Sequence, residues 1–93
     1  MSYCYRKNPN IHLLKILPKF YEAVSSGFKK FEIRRFDLDY KPGDILVLQE
    51  YVDGCYTGNY CDCRVDYIYT GELCLDGYCI MSISLLKIFN KNN

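Results

Sequence analysis

The sequence predicts a small α+β domain, built as a mixed β barrel with one or two docked helices. The chain has 93 residues, which is enough for a single domain. Ten Tyr and five Phe with no Trp favour sheet, because aromatic side chains suit a pleated surface. Apolar patterning gives the order strand, helix, strand and then several hairpin-connected strands. This order is typical of a small barrel with a docked helix.

The first part of the chain is predicted to form an arm, a strand and a helix. Residues 1–10 are polar and are assigned to an N-terminal arm, and Ile11–Leu17 is mostly apolar and is assigned to the first strand. Pro18 suits the first position of a helix, where its missing N–H costs nothing. Gly27 suits the left-handed residue just after the helix, so the helix should end near Ser26. Three apolar side chains are expected to dock this helix on the sheet: Phe20, Tyr21 and Val24.

Two further strands are predicted in the middle of the chain. Polar and apolar residues alternate in Lys30–Arg35, which is the period of a strand. A Pro-Gly turn then leads into Asp44–Tyr51. The continuous apolar run Ile45–Leu48 predicts burial on both faces, as inside a small barrel. Replacing Val47 with Asp is therefore expected to unfold the domain, since an unpaired charge in a core is very costly.

The last two strands are assigned to Cys61–Tyr69 and Tyr78–Leu85. Asp-Gly and Thr-Gly pairs at residues 53–54 and 57–58 bracket the hairpin connection before them. Alternation in the first of these strands places five side chains on one face: Cys61, Cys63, Val65, Tyr67 and Tyr69. Residues 87–93 are assigned to a polar C-terminal tail, so the domain itself is expected to span residues 11–86.

Charge and hydropathy narrow the possible functions. A net charge of +1 does not indicate a general polyanion binder, so any nucleic-acid binding depends on a local patch. Such a patch exists, because four of the twelve Lys and Arg residues lie between Lys29 and Arg35. The first residues lack the apolar run of a signal peptide, and no apolar segment approaches the length that crosses a bilayer. We expect a cytoplasmic, monomeric protein that makes no contact with a membrane.

The six cysteines are interpreted as reduced thiols that pack in the core. A disulfide framework is typical of short secreted chains. Structural zinc sites favour a Cys-x2–4-Cys pair that is closed by a second pair of ligands. Cys61 and Cys63 are separated by only one residue on a predicted strand, which does not fit that spacing. We expect no metal, no cofactor and no disulfide, with Cys61 and Cys63 buried on the same face of their strand.

Two features of the sequence are candidate sites. His12 is the single histidine, and a catalytic pair would have to use it, but no nucleophile elbow accompanies it. It is interpreted as a surface or packing residue. The segment 27–35 has two readings. It is either the solvated face of an edge strand, in which Glu32 pairs weakly with cationic neighbours, or a cationic site with one acceptor carboxylate, suited to a phosphate or a nucleobase edge. Composition alone favours the solvated strand.

Several motifs in the correct order resemble the ASCH domain of the PUA-like superfamily. The pattern Gly-x-Lys-x-x-Glu-x-Arg at residues 27–34 is followed by Pro-Gly-Asp at residues 42–44. Around them stand Ile-His-Leu-Leu-Lys at 11–15, Phe-Tyr-Glu-Ala-Val at 20–24, Gly-Asp-Ile-Leu-Val-Leu-Gln-Glu at 43–50 and Tyr-Thr-Gly at 56–58. The similarity runs from about Ile11 to Leu85. It is closest to a small bacterial and phage branch of that family.

The resemblance implies a five- or six-stranded mixed barrel, with helices at its openings and a cleft lined by the Gly-x-Lys segment. PUA-like domains typically bind RNA or modified bases, and some ASCH members are small amidohydrolases that deacylate acetylcytidine. Lys29 matches the lysine that activates the nucleophile in those hydrolases, whereas Glu32 stands where they have Thr. The ligand-binding residues that the resemblance implies are His12, Lys15, Lys29, Glu32, Arg34 and Asp37.

Three functions follow as hypotheses. The first is a module that binds RNA or a modified nucleotide, and an open groove with basic residues leading away from it would favour this reading. The second is an amidohydrolase acting on an acylated nucleoside, with Lys29 and Glu32 as the catalytic residues. A deep cleft with these two groups about 3 Å apart through water would favour it. The third is a phage-type protein that sequesters a host factor, which an exposed apolar patch around Phe36 and Leu38 would favour.

The cationic segment also carries a geometric expectation. Lys29 and Glu32 are an odd number of residues apart, so a regular strand would place them on opposite faces. They converge only if Lys29 lies in the loop after Gly27 or if a bulge intervenes. With that geometry Lys29 and Arg34 would donate to phosphate or carbonyl oxygens, and Glu32 would accept from an exocyclic amine. Replacing Lys29 or Arg34 with Ala should then abolish binding and cost the fold little.

Overall fold

The computed structural model describes residues 7–91 and shows five strands in one sheet with a single helix in that range. The elements are β1 Ile11–Ile16, α1 Pro18–Ser25, β2 Phe31–Arg35, β3 Ile45–Val52, β4 Cys55–Tyr69 and β5 Tyr78–Phe89. The order across the sheet is β1-β3-β4-β5-β2, with β1 parallel to β3 and every other pair antiparallel. The sheet curls into a half-barrel. The predicted α+β class is confirmed, with a mixed, barrel-like sheet and one helix in the described residues.

The core lies on the concave side of the sheet, under α1. Leu46 and Leu48 of β3 and Cys61 and Cys63 of β4 are fully buried there, as the alternation of each strand requires. The predicted burial of both cysteines on one face is therefore confirmed. Val47 is only half-buried, because the helix covers the concave side and leaves the other side of β3 open. The expectation that the apolar run is buried on both faces is wrong.

Helix α1 begins and ends close to the predicted positions. Pro18 occupies its first turn, and Gly27, with φ of 87°, donates its N–H to the carbonyl of Val24. Tyr21 and Val24 are buried against the sheet, as predicted. Phe20, which was expected to dock beside them, is 41% exposed. Successive side chains on a helix point roughly 100° apart, so Phe20 and Tyr21 cannot both face the core.

Strands β4 and β5 are longer than predicted, and the side chains of β4 after Val65 do not keep the predicted alternation. Asp53 and Gly54 both have positive φ and form a two-residue hairpin turn, so the Thr-Gly pair at 57–58 lies within β4. A bulge between Val65 and Tyr67 turns Tyr67 outward, where it is 44% exposed, so its predicted place on the buried face is wrong. Strand β5 runs to Phe89 and includes residues that were assigned to the tail.

The two predicted terminal segments lie partly outside the described residues. Residues 1–6 of the predicted arm and residues 92–93 of the predicted tail are among those not described. Within residues 7–91, no helix is long and apolar enough to cross a membrane.

Tyr21 links the helix to the far end of the sheet and predicts a pH dependence of stability. Its hydroxyl donates to Asn90 Oδ1 at 2.7 Å. Burial, followed by the nearby Cys61 and Glu50, raises the pKa of Tyr21 to about 12. In the unfolded chain a tyrosine titrates near 10, so this contribution is complete below pH 10 and is lost as pH rises from about 10 to about 12.

The expected loss between pH 10 and pH 12 is about 2–3 kcal/mol of unfolding free energy. Urea denaturation at several alkaline pH values measures it, and Tyr21→Phe is the control that lacks the titrating group. The Phe variant should start less stable and then lose less stability across this interval. Parallel pH profiles for the two proteins would contradict the assignment to Tyr21.

Candidate functional site

A buried carboxylate lies at the centre of the cationic segment. Glu32 is only 3% exposed and faces the concave side of the half-barrel from β2. Lys29 Nζ donates to its Oε1 at 2.6 Å, and Arg34 Nε donates to its Oε2 at 2.8 Å. The apolar neighbours Phe31 and Ile33 lie on the opposite face and are 43% and 53% exposed. The solvated-strand reading is therefore wrong, because β2 turns its charged face inward.

The turn after α1 brings Lys29 into this cluster. Gly27 reverses the chain direction with a positive φ, and the backbone N–H of Lys29 donates to the carbonyl of Ala23 at 2.9 Å. Lys29 thus lies before β2 begins and escapes the alternation of the strand. Its ammonium also donates to the carbonyl of Phe31 at 2.8 Å. The loop placement that convergence with Glu32 requires is confirmed. We call Lys29, Glu32 and Arg34 the triad.

The triad lies where the sheet does not close. Strands β1 and β2 are the two edges of the strand order. Arg34 Nη2 crosses between them and donates to the carbonyl of Lys15 at 2.8 Å. A side-chain hydrogen bond therefore connects two edges that have no ladder between them in the described residues. We call the space between these two edges the seam.

A groove of about 470 Å³ opens at the seam, and we call it the seam groove. Its polar part is the triad, and its remaining walls are mostly apolar and aromatic. It is lined by Lys15, Ile16, Leu17, Phe20, Lys29, Phe31, Glu32, Ile33 and Arg34. The Lys29 ammonium lies 4.8 Å from the ring centroid of Phe31 and 5.7 Å from that of Phe20. Charged donors and aromatic faces therefore lie beside each other in one concavity.

The triad keeps hydrogen-bonding capacity for a ligand. Its formal charge is +1 when all three groups are ionised. The contacts above use two of the three ammonium donors of Lys29 and two of the five guanidinium donors of Arg34. Each oxygen of Glu32 accepts one of these bonds and has a further lone pair. The groove can thus offer several charged donors and one acceptor group.

His12 lies elsewhere in the fold. Its Nε2 is 2.8 Å from Oδ2 of the fully buried Asp44, and its ring lies 4.8 Å from that of Tyr40. Asp44 also accepts from the backbone N–H groups of Asn10 and Lys41. The Gly-Asp motif thus fastens the start of β1 to the turn before β3. His12 does not line the seam groove.

The other two implied ligand-binding residues have different positions. Lys15 lines the seam groove, but its backbone carbonyl makes the contact to Arg34, and its ammonium lies 4.5 Å from the ring centroid of Tyr51. Asp37 is exposed in the loop after β2 and does not line the groove. The structure therefore brings together Lys29, Glu32 and Arg34 with the backbone of Lys15.

Sequence reasoning missed the apolar walls of the groove. Leu17, Phe20 and Phe31 line it, but Leu17 was assigned to a strand, Phe20 to helix docking and Phe31 to the alternation of a strand. The position of Phe20 was predictable, because adjacent residues on a helix point in different directions and Tyr21 already faces the core. No comparable signal identifies Phe31, since alternation places it on the face opposite Glu32, although both residues line the groove.

The described cysteines do not line the seam groove. Cys61, Cys63 and Cys79 are buried in the core, and hydrogen bonding to Cys61, together with burial, raises the pKa of the Cys63 thiol. Across the described part of the chain, no three His, Cys, Asp or Glu side chains group together as ligands for a metal ion.

Comparison with known proteins adds a family and one phage relative. A family model described as a domain of unknown function (DUF3850) matches residues 11–83, a range that contains the whole seam groove. The chain is also similar to an "Uncharacterized 12.9 kDa protein in GpA 3'region" of Escherichia phage P2. The two are 38% identical over 55 residues, which cover 59% of this chain and 50% of that relative. The match thus spans about half the length of the phage protein.

Proposed function

The chain belongs to the DUF3850 family, and we propose that it is an ASCH-like module whose seam groove binds one base of an RNA or of a modified nucleotide. The observation that carries this proposal is a net-cationic triad around a buried carboxylate, in a groove with aromatic walls. A half-barrel with a helix packed on its concave side and a cleft beside the Gly-x-Lys segment supports the likeness to ASCH and PUA-like domains.

The groove has the two kinds of surface that recognition of an unpaired base requires. Phe20 and Phe31 present aromatic side chains on which a base can stack. Arg34 presents free guanidinium donors for carbonyl or ring-nitrogen acceptors, and Glu32 presents lone pairs for an exocyclic amine. A volume of about 470 Å³ lies within the range of small-molecule sites. The seam groove therefore suits one base with its sugar.

Basic residues continue outside the groove. Lys19, Lys30 and Arg35 are exposed and lie on α1, before β2 and at the end of β2. Each is close in sequence to a groove residue, so the positive charge of the triad extends over the adjoining surface. A phosphate backbone leaving the groove would meet these cations. This distribution favours a nucleotide or an RNA strand over a neutral ligand.

The amidohydrolase remains a second candidate because Lys29 Nζ and Glu32 Oε1 are only 2.6 Å apart. In that reaction Glu32 would take a proton from water, the water oxygen would bond to the acyl carbon, and the C–N bond would break as the amine took the proton. Both oxygens of Glu32 are already engaged by cations. A water molecule would first have to displace one of them, so binding without turnover is the better-supported reading.

A protein partner is the third reading. Phe36 and Leu38 are 42% and 44% exposed in the loop after β2. A protein partner could bury these two apolar side chains. Neither residue lines the seam groove.

Thermal-shift measurements with nucleosides, nucleotides and short RNAs test the proposal. A ligand at a hundred times its Kd adds about 2.7 kcal/mol of apparent stability, which is easily detected. Lys29→Gln and Arg34→Gln should each weaken binding at least about tenfold, because each removes a charged donor. Lys41→Gln is the control, since it removes the same charge from an exposed side chain near the start of β3.

The Glu32→Gln variant separates the two leading readings. In a binding module it should retain binding and change the preferred base, with no product formed by either protein. In an amidohydrolase it should bind an acylated nucleoside and fail to release the acid. If no nucleoside, nucleotide or RNA shifts the melting temperature of the wild-type protein, the proposed function is wrong.

A further inference from the structure

A second groove adjoins the seam groove at Lys29, and we call it the turn groove. It has a volume of about 250 Å³ and is lined by Val24, Gly27, Lys29, Lys30, Ile83, Ser84 and Leu85. Lys29 is the residue that the two grooves share. Its ammonium points to Glu32, so its side chain forms a partition between the two spaces.

We propose that one single strand of RNA occupies both grooves. One base lies in the seam groove, the adjoining phosphate contacts the Lys29–Lys30 segment, and the next nucleotide lies in the turn groove. The ligand is then an oligonucleotide of at least two nucleotides and not a free nucleoside. This inference rests on the proposed function, because it extends the same site.

The backbone of the turn groove is fixed and accessible. Gly27 has φ of 87°, and a Cβ built on it would meet nothing within 4 Å, so the backbone there borders open space. The carbonyl of Lys30 accepts from the N–H of Ile83 at 3.0 Å, which fastens this segment to β5. The exposed Lys30 side chain therefore extends from an anchored point beside the groove.

Charge in the turn groove favours a phosphate. Lys29 and Lys30 line it, and no acidic side chain does so among the described residues. Two carboxylates lie one contact away: Glu32, which accepts from Lys29 Nζ, and Asp66, which accepts from Ser84 Oγ. Asp66 also accepts from Arg64 Nε at 2.8 Å, so its negative charge is matched by a cation. Lys30 has no ion pair among the described residues, which leaves its charge available to a ligand.

Binding as a function of ligand length and salt tests this path. The probes are the four ribonucleosides and a mixed-sequence tetranucleotide RNA, measured by calorimetry on the full chain. We expect the tetranucleotide to bind more tightly than any nucleoside. Lys30→Gln should weaken tetranucleotide binding about fivefold and leave nucleoside binding unchanged. It should also reduce the slope of log K against log salt by about 0.7, the value for one lost phosphate contact on a single strand.

The control variant is Lys41→Gln, which removes the same charge from a residue that lines neither groove. It should leave the affinity and the salt slope as in the wild type. Two results would overturn the two-groove path and leave the seam groove as a nucleoside site. The first is that the tetranucleotide binds no more tightly than a nucleoside. The second is that the Lys30→Gln variant binds the tetranucleotide as tightly as the wild type does. If neither probe binds, the two-groove path and the proposed function both fail.

Discussion

Replacing Leu48 with Asn is expected to unfold the domain at room temperature. Leu48 is fully buried at the centre of β3, opposite Leu14 of β1 and Cys61 of β4. Truncating a buried leucine costs about 2–5 kcal/mol, and leaving an amide without partners in the core adds about 1–3 kcal/mol. The sum approaches the roughly 5–15 kcal/mol that holds a small domain folded. Circular dichroism and urea titration of the purified variant measure the loss.

The matched control is the same substitution one residue earlier. Val47 is half-buried on the outer side of β3, where it pairs with Leu13 and Asp62. Val47→Asn should fold and lose about 1 kcal/mol, since part of its side chain is already in contact with water. The sequence pattern predicts that a polar substitution at Val47 unfolds the domain. The structure instead indicates Leu48 as the residue of β3 where such a substitution is most destabilising. If Val47→Asn unfolds and Leu48→Asn does not, the register of β3 is wrong.

Replacing Glu32 with Met is expected to destabilise the protein by about 2–4 kcal/mol, because two largely buried cations lose their carboxylate. The side chains of Lys29 and Arg34 are only 16% and 23% exposed. The assumption that these two side chains lie on a free surface is therefore wrong, and we expect their substitution to cost more than a surface change. Urea denaturation gives the loss for the Met variant.

A triple variant separates stability from binding. Changing Lys29, Glu32 and Arg34 together to Met removes all three charges and keeps long side chains in their place, so most of the lost stability should return. The same protein should show no thermal shift with any nucleotide or RNA, because all three charged groups of the triad are gone. If the triple variant is as unstable as Glu32→Met alone, the link from Arg34 to the Lys15 carbonyl stabilises the seam more than charge balance does.

Much of the fold was predictable because local signals agreed with the tertiary structure. Pro18 and Gly27 marked the two ends of α1, and both behave in the structure as helix-terminal residues do. The convergence of Lys29 with Glu32 was also predictable in outline, since the glycine offered the one turn that could free Lys29 from strand alternation. These features depend on neighbours in sequence.

The rest depends on contacts that alternation cannot reveal. A two-residue period divides β2 into two faces without saying which one lies inward, and composition favoured the wrong one, because Glu32 lies inside and Ile33 outside. The bulge before Tyr67 follows from pairing with β5, which lies many residues later. The seam could be predicted only from the strand order, which places β1 and β2 at opposite edges of one curled sheet. The walls of the groove could not be predicted before that topology was known.

The strand order also determines when, during protein synthesis, a ligand site can exist. Strands β3 and β4 are joined by a two-residue turn and can pair as soon as both have been made. Strand β2 cannot pair until β5 has been made, because Arg35 pairs with Tyr78, 43 positions further along the chain. Closing so long a loop is entropically costly and comes late. A nascent chain that has reached only Thr70 already carries the whole triad but has no partner strand to hold it. Binding in the seam groove would therefore require β5, and truncation products that lack β5 could not compete for the same ligand.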